Sequence, residues 1–169
     1  MGHETINEYG VIMALQIQSI GGSVGLGYDA ATGAGGPIRK VVNRTGHTSV
    51  LGEIVANSTS ADKECVLCTS GYDAIGVVAE AGIAEGSAMW LWVTGARCQV
   101  KYLENTASTH GNILLCSIAG AGLGEDVANP GGGLPGTDTH FRENGHVCES
   151  HAAGGAGTYN LVLCDLHHN

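Results

Sequence analysis

His140, His146, Cys148 and His151 crowd one short stretch of this chain, with Glu143 and Glu149 among them, and the C-terminal residues add Cys164, His167 and His168. Neutral imidazole and thiolate are good zinc donors, so a loop around His140 could gather a metal site. The spacing argues the other way. Cys148 and His151 are three apart, and the set matches no zinc-finger or zincin signature. The expectation is therefore no metal and no cofactor, with His140, His146, Cys148 and His151 as the residues to watch. In the plainer reading these imidazoles hydrogen-bond backbone groups at turns or line a subunit contact. A catalytic acid–base role would need a pocket with convergent groups.

Three further motifs could carry chemistry, and each lacks its context. Cys65-Val66-Leu67-Cys68 is a single C-x-x-C. On a strand, residues i and i+3 point to opposite faces and cannot grip one ion. Zinc ribbons need a second such pair, and a redox C-x-x-C needs a helix N-terminus. Gly21-Gly22-Ser23-Val24-Gly25 matches the G-x-S-x-G nucleophile elbow, but glycines follow where that elbow needs a helix. Gly131 to Gly136 matches G-x-G-x-x-G without a helix to hold a pyrophosphate.

The elements that must position these residues are strands. No window of ten or more residues carries a glycine-free helical apolar stripe. Short apolar runs bounded by turn residues recur instead, at 11–20, 38–43, 50–57, 65–69, 74–80, 88–94, 97–103, 112–118, 145–150 and 159–166. The expected fold is all-β: a small β-barrel, β-tulip or sandwich with long glycine-rich loops and an N-terminal arm. Residues 1–10 form the arm and 11–169 a single β-rich domain. Both faces of Met89-Trp90-Leu91-Trp92-Val93 are apolar, which marks a strand covered on two sides. The segment 79–86 reads as a turn whose flanking strands pair. Gly21 to Gly36 and Ala119 to Gly136 read as too glycine-rich for regular structure.

Composition restricts the partners. The 169 residues include 28 glycines and 14% charged residues, against about 25% charged in ordinary domains. Seven Lys and Arg stand against sixteen Asp and Glu, a formal charge of −9. Nucleic-acid binding needs clustered basic side chains, and Arg39, Lys40 and Arg44 are the closest such set. Neither nucleic acid nor a membrane is expected as a partner, since no apolar run nears the ~20 residues of a spanning helix. Low charge with much small and apolar surface points to contact with other protein chains. The first residues show neither a secretory nor a myristoylation pattern, so the six cysteines are expected to be mainly reduced and buried.

The stretch Thr139-His140-Phe141-Arg142-Glu143-Asn144-Gly145-His146-Val147-Cys148-Glu149-Ser150 and the tail Asn160 to Asn169 resemble the C-terminal part of tailed-phage and prophage capsid-decoration proteins. That family carries H-F-x-E-x-G-H and ends in leucine–histidine–aromatic–asparagine. Here His168 takes the aromatic place, and Asn144 stands where an apolar residue is commoner. Ile75 to Glu80, Gly86, and Val93 to Val100 are similar to that family's core hairpin, so the likeness covers residues 74–169. It implies a non-enzymatic protein that binds the major capsid protein lattice on the outside of the virion, as a homotrimer, after synthesis in the host cytoplasm. On this reading Tyr9, Tyr28, Trp90, Trp92, Tyr102 and Phe141 are candidate aromatic anchors. His140, Arg142, Glu143, His146, His167 and His168 join them as contact candidates. The alternatives are another self-assembling virion subunit (tail-tube, head-fibre or filament) and a metal-dependent enzyme built on the His/Cys cluster.

Overall fold

The computed structural model describes residues 5–6, 12–13, 15–69, 74–129 and 142–167. About half the chain is strand (49%), with almost no helix (1%). In chain order the strands are β1 (Thr5–Ile6), β2 (Ile12–Met13), β3 (Gln16–Gly21), β4 (Val24–Asp29), β5 (Ala34–Asn43), β6 (Ile54–Asn57) and β7 (Glu64–Leu67). They continue with β8 (Ala74–Val78), β9 (Ala88–Trp92), β10 (Arg97–Lys101), β11 (Ile113–Cys116), β12 (Gly124–Val127), β13 (Glu143–Val147) and β14 (Leu161–Leu166). β1, in the segment expected as an N-terminal arm, pairs with β2, just beyond that segment, in a separate small sheet.

Five strands close into a barrel. The ring runs β5-β7-β6-β8-β9 and is completed by antiparallel β5–β9 pairing from Ile38↔Trp92 to Val42↔Ala88. Its interior is filled from every strand: Val41 of β5, Val55 of β6, Cys65 of β7, Val78 of β8, and Met89 and Leu91 of β9. The alternate residues of these strands face a second, larger core. Ile38, Ile54, Val77 and Trp92 meet Cys98, Val100, Leu114, Cys116, Val147, Val162, Cys164 and Leu166 there. Those partners come mostly from a second run of strands, β10-β14-β13-β11-β12, joined to the barrel by β5–β10 pairing. The double-sided apolar strand at residues 88–92 is thus covered on both faces by its own chain, Met89 and Leu91 inside the barrel and Trp92 between the two layers. The turn at 79–86 does join paired strands, with Val77↔Trp92 and Val78↔Leu91.

One expectation fails. Gly21 to Gly36 is not a loop but most of a three-stranded run in which β4 pairs with both β3 and β5. Its glycines alternate with large residues: Val24, Leu26 and Tyr28 are exposed while Gly25 and Gly27 turn to the buried face. A Cβ on Gly27 would stand 2.8 Å from the Trp92 ring, so the missing side chain lets β4 lie against the indole. Within Ala119 to Gly136, Gly124–Val127 likewise forms β12, paired along its length with β11. Residues 130–136 lie outside the described residues.

Buried polar groups tie the barrel ends. Asn43 is 0% exposed and follows Val41 on the same face of β5. Its Nδ2 donates to the carbonyls of His47 (3.0 Å) and Ile83 (2.9 Å), and its Oδ1 accepts from the Thr45 amide (3.0 Å) and hydroxyl (2.8 Å). Glu53, 4% exposed, is held between His47 Nε2 at 3.0 Å and Lys101 Nζ at 3.5 Å. Asn43→Ala removes four hydrogen bonds and leaves the Thr45 amide without its acceptor, and is expected to cost about 3 kcal/mol; urea denaturation monitored by tryptophan fluorescence measures it.

All six cysteines are free thiols, five buried and Cys148 half-buried. Cys65 and Cys68 fall in different cores, the barrel interior and the interlayer core, so the C-x-x-C pair faces opposite ways. Burial pushes the Cys65 thiol up to about 11 and raises Cys98 and Cys164 further. Cys116 is raised first by the neighbouring Cys68 thiol and then by burial. A thiol reacts as thiolate, so these should be inert at neutral pH. Maleimide labelling of the native protein, read by mass spectrometry, should modify Cys148 alone, and all six thiols after unfolding.

Candidate functional site

Two surfaces stand out. The first is the β3–β4 hairpin. Ile20 (67%), Val24 (53%), Leu26 (46%) and Tyr28 (54%) are its exposed apolar residues. The register places Gln18 beside Leu26 and Gln16 beside Tyr28. These residues, with Ile17 and Gly27, line a shallow concavity of about 280 Å³. Among the described residues β3 pairs with β4 and leaves its other edge open. Natural edge strands are usually blunted by Lys, Pro or inward charges. The sequence of β3, QIQSIG, has none of these. The turn at its end contains Ser23, the would-be nucleophile; strand β4, not a helix, follows it.

The second surface is polar and lies on the outer face of β10, β14 and β13. A bulge creates it. β13 meets β11 with Leu114 opposite Gly145 but Leu115 opposite Glu143, so Asn144 is an extra residue. In a regular strand Glu143 and His146 would face opposite sides; one extra residue restores them to the same side. His146 stands opposite Asp165, and His167, two residues on, continues the face of Asp165. The result is convergent. Glu143 Oε1 lies 3.6 Å from His146 Nε2 and 3.2 Å from His167 Nε2. The two imidazoles face each other with centroids 4.8 Å apart and planes tilted by 51°. Glu143 is 9% exposed, whereas the side chains of His146 and His167 are 44% and 36% exposed.

Beside this trio, Arg97 grips Asp165 with two bonds, Nε at 2.6 Å and Nη2 at 2.8 Å. Those bonds hold the Asp165 carboxyl below the usual carboxylate range, against partial burial, with the Cys148 thiol and His146 adding to the effect. Gly145 makes the bulge possible. Its φ is +154°, and a Cβ there would collide with the Asp165 carbonyl oxygen.

No family model matches the chain, and no curated protein is significantly similar to it.

The sequence candidates divide as follows. Glu143, His146 and His167 come together; Cys148 and His151, expected to be His146's companions in any metal set, do not. Cys148 sits against Asp165 and Arg97. His151 lies 3.0 Å from Glu149 and its backbone bridges to Ser108. Among the aromatic anchors, Tyr28 is exposed and Trp90 is half-buried under Lys40, whose Nζ lies 5.5 Å from its ring. Tyr102 (0%) is corrected from contact residue to core; Trp92 (3%) is core too, as expected of a tryptophan in a chain with a single Phe. Arg142 is mostly buried too, donating to the Cys116 carbonyl at 3.2 Å and lying 3.9 Å from Glu125. Tyr9, His140, Phe141 and His168 lie outside the described residues. Sequence reading missed the convergence of Glu143, His146 and His167, because E-x-x-H on a strand looks divergent until the bulge is known and His167 arrives from the end of β14 beside β13. It also missed Val24 and Leu26, hidden in a segment read as a loop, and did not single out Ile20 at the end of the strand run 11–20.

Gly145→Ala is expected to lower stability by at least ~2 kcal/mol, from overpacking and an unfavourable backbone angle together. A urea midpoint equal to that of the parent would show that the strand tolerates a regular register.

Proposed function

We propose that this chain is a structural virion protein of the capsid-decoration type, binding the outer surface of an assembled phage capsid and reinforcing it. The observation that carries the reading is the β3–β4 hairpin. Of the seven large apolar residues exposed among the described residues, four are on this one element. Soluble monomers scatter such residues singly; a contiguous set marks an interaction surface. Covering each of these half-exposed side chains is worth about 1 kcal/mol. That is weak for one copy, but many copies on one lattice act together. The resemblance of residues 74–169 to decoration proteins and the formal charge of −9 on few charged residues support the same reading.

The uncharged edge of β3, unpaired among the described residues, supports a related reading, in which copies of the chain add strand to strand as in a tail-tube, head-fibre or filament subunit. Light scattering after gel filtration separates the two. A discrete trimer fits decoration, and open-ended growth fits a filament, because heterologous contacts that do not close propagate.

The direct test is co-sedimentation with expanded, undecorated phage capsid shells. Saturable binding is expected, with Leu26→Glu plus Tyr28→Glu weakening it at least ten-fold while leaving the circular dichroism spectrum unchanged. Absence of binding at saturating concentration would overturn the proposal.

A further inference from the structure

We propose that Glu143, His146 and His167 form a binding site for one divalent transition-metal ion of the zinc class. The inference is independent of capsid binding and rests on three features of the site.

The first is the donor geometry. Zinc holds imidazole nitrogen and carboxylate oxygen at about 2.0–2.2 Å, which places donors around a tetrahedral ion roughly 3.4 Å apart. The Glu143 oxygen lies 3.2 Å and 3.6 Å from the two Nε2 atoms. All three donor atoms fall within 4.8 Å of one another. Small rotations of two half-exposed rings close the remaining difference. Two imidazoles and a carboxylate suit zinc, nickel, cobalt and copper ions better than calcium or magnesium, which prefer all-oxygen shells.

The second is charge. Glu143 is 9% exposed, and among the described residues its charged or chargeable partners are these two imidazoles. Asp165, the next carboxylate on this face, is already neutralised by Arg97. A buried carboxylate needs a positive partner. The two Nε2 atoms and the Glu143 oxygen converge on one spot, where nitrogen donors and a carboxylate meet. A divalent cation satisfies both.

The third is access and support. Both rings reach solvent, so an ion can enter and a fourth position stays open to water or to a donor from another chain. The ligands come from two hydrogen-bonded strands, β13 and the end of β14. A bound ion would therefore clamp the end of β14 to the bulge, where the His167 amide already donates to the Asn144 carbonyl at 3.1 Å.

The experiment is calorimetric titration of the tag-free, metal-stripped protein with zinc chloride, alongside thermal melts with and without zinc. One ion per chain is expected, with a higher melting temperature when zinc is present. Glu143→Gln and His167→Ala should each weaken binding at least ten-fold and abolish the thermal shift. Should Glu143→Gln fail to fold, His167→Ala decides, since that side chain is largely at the surface. Cys148→Ser and His151→Ala should bind zinc as the parent does. Three results would overturn the proposal: no zinc uptake by the parent, equal uptake by Glu143→Gln or His167→Ala, or loss of uptake in Cys148→Ser or His151→Ala.

Discussion

Strand β5 is hydrogen-bonded to four others: β4 and β9 along its length, β7 at one end and β10 at the other. Every larger feature depends on that sharing. Its pairing with β9 closes the barrel, its pairing with β4 carries the exposed hairpin, and its contact with β10 joins the second layer. The register of β5 against β9 sets Met89 and Leu91 inward and Trp92 outward. A slip of one residue would exchange the two faces and put indole rings inside a five-stranded barrel too narrow for them. The close approach of Gly27 to the Trp92 ring gives the outer side a matching constraint.

The second layer uses the opposite device, a deliberate irregularity. At Asn144 and Gly145 the ladder takes one residue too many, and the parity of β13 changes. Val147 and Gly145 still face inward against Cys164 and Leu166, so the interlayer core is undisturbed. On the outer face the same change gathers Glu143, His146 and His167. Burying most of a carboxylate at a sheet surface costs free energy unless something positive meets it. Such local expense concentrates at places with a task beyond folding.

The two surfaces make different demands on the scaffold. The hairpin presents apolar side chains on a strand whose other face is held by glycines against the barrel; it offers area. The polar face offers donor atoms held by two strands in fixed register; it offers geometry. Neither disturbs the other, because they are carried by opposite sheet extensions from β5, one through β4 and one through β10 and β14.

What the amino-acid order determined by itself was the period. Alternating apolar residues bounded by turn formers dictate strands wherever they occur, and nearly every apolar run between 38 and 166 became one. Burial of the cysteines in separate cores followed from the same alternation. What tertiary structure decided was everything requiring a distant partner. Glycines at 25 and 27 look like loop residues until Ile38 and Trp92 occupy the space of their missing side chains. Likewise, Glu143 and His146 look divergent until β11 imposes a bulge, and His167 joins them only because β14 returns beside β13. Local spacing encodes direction along one strand, whereas convergence depends on register between strands, which no short segment contains.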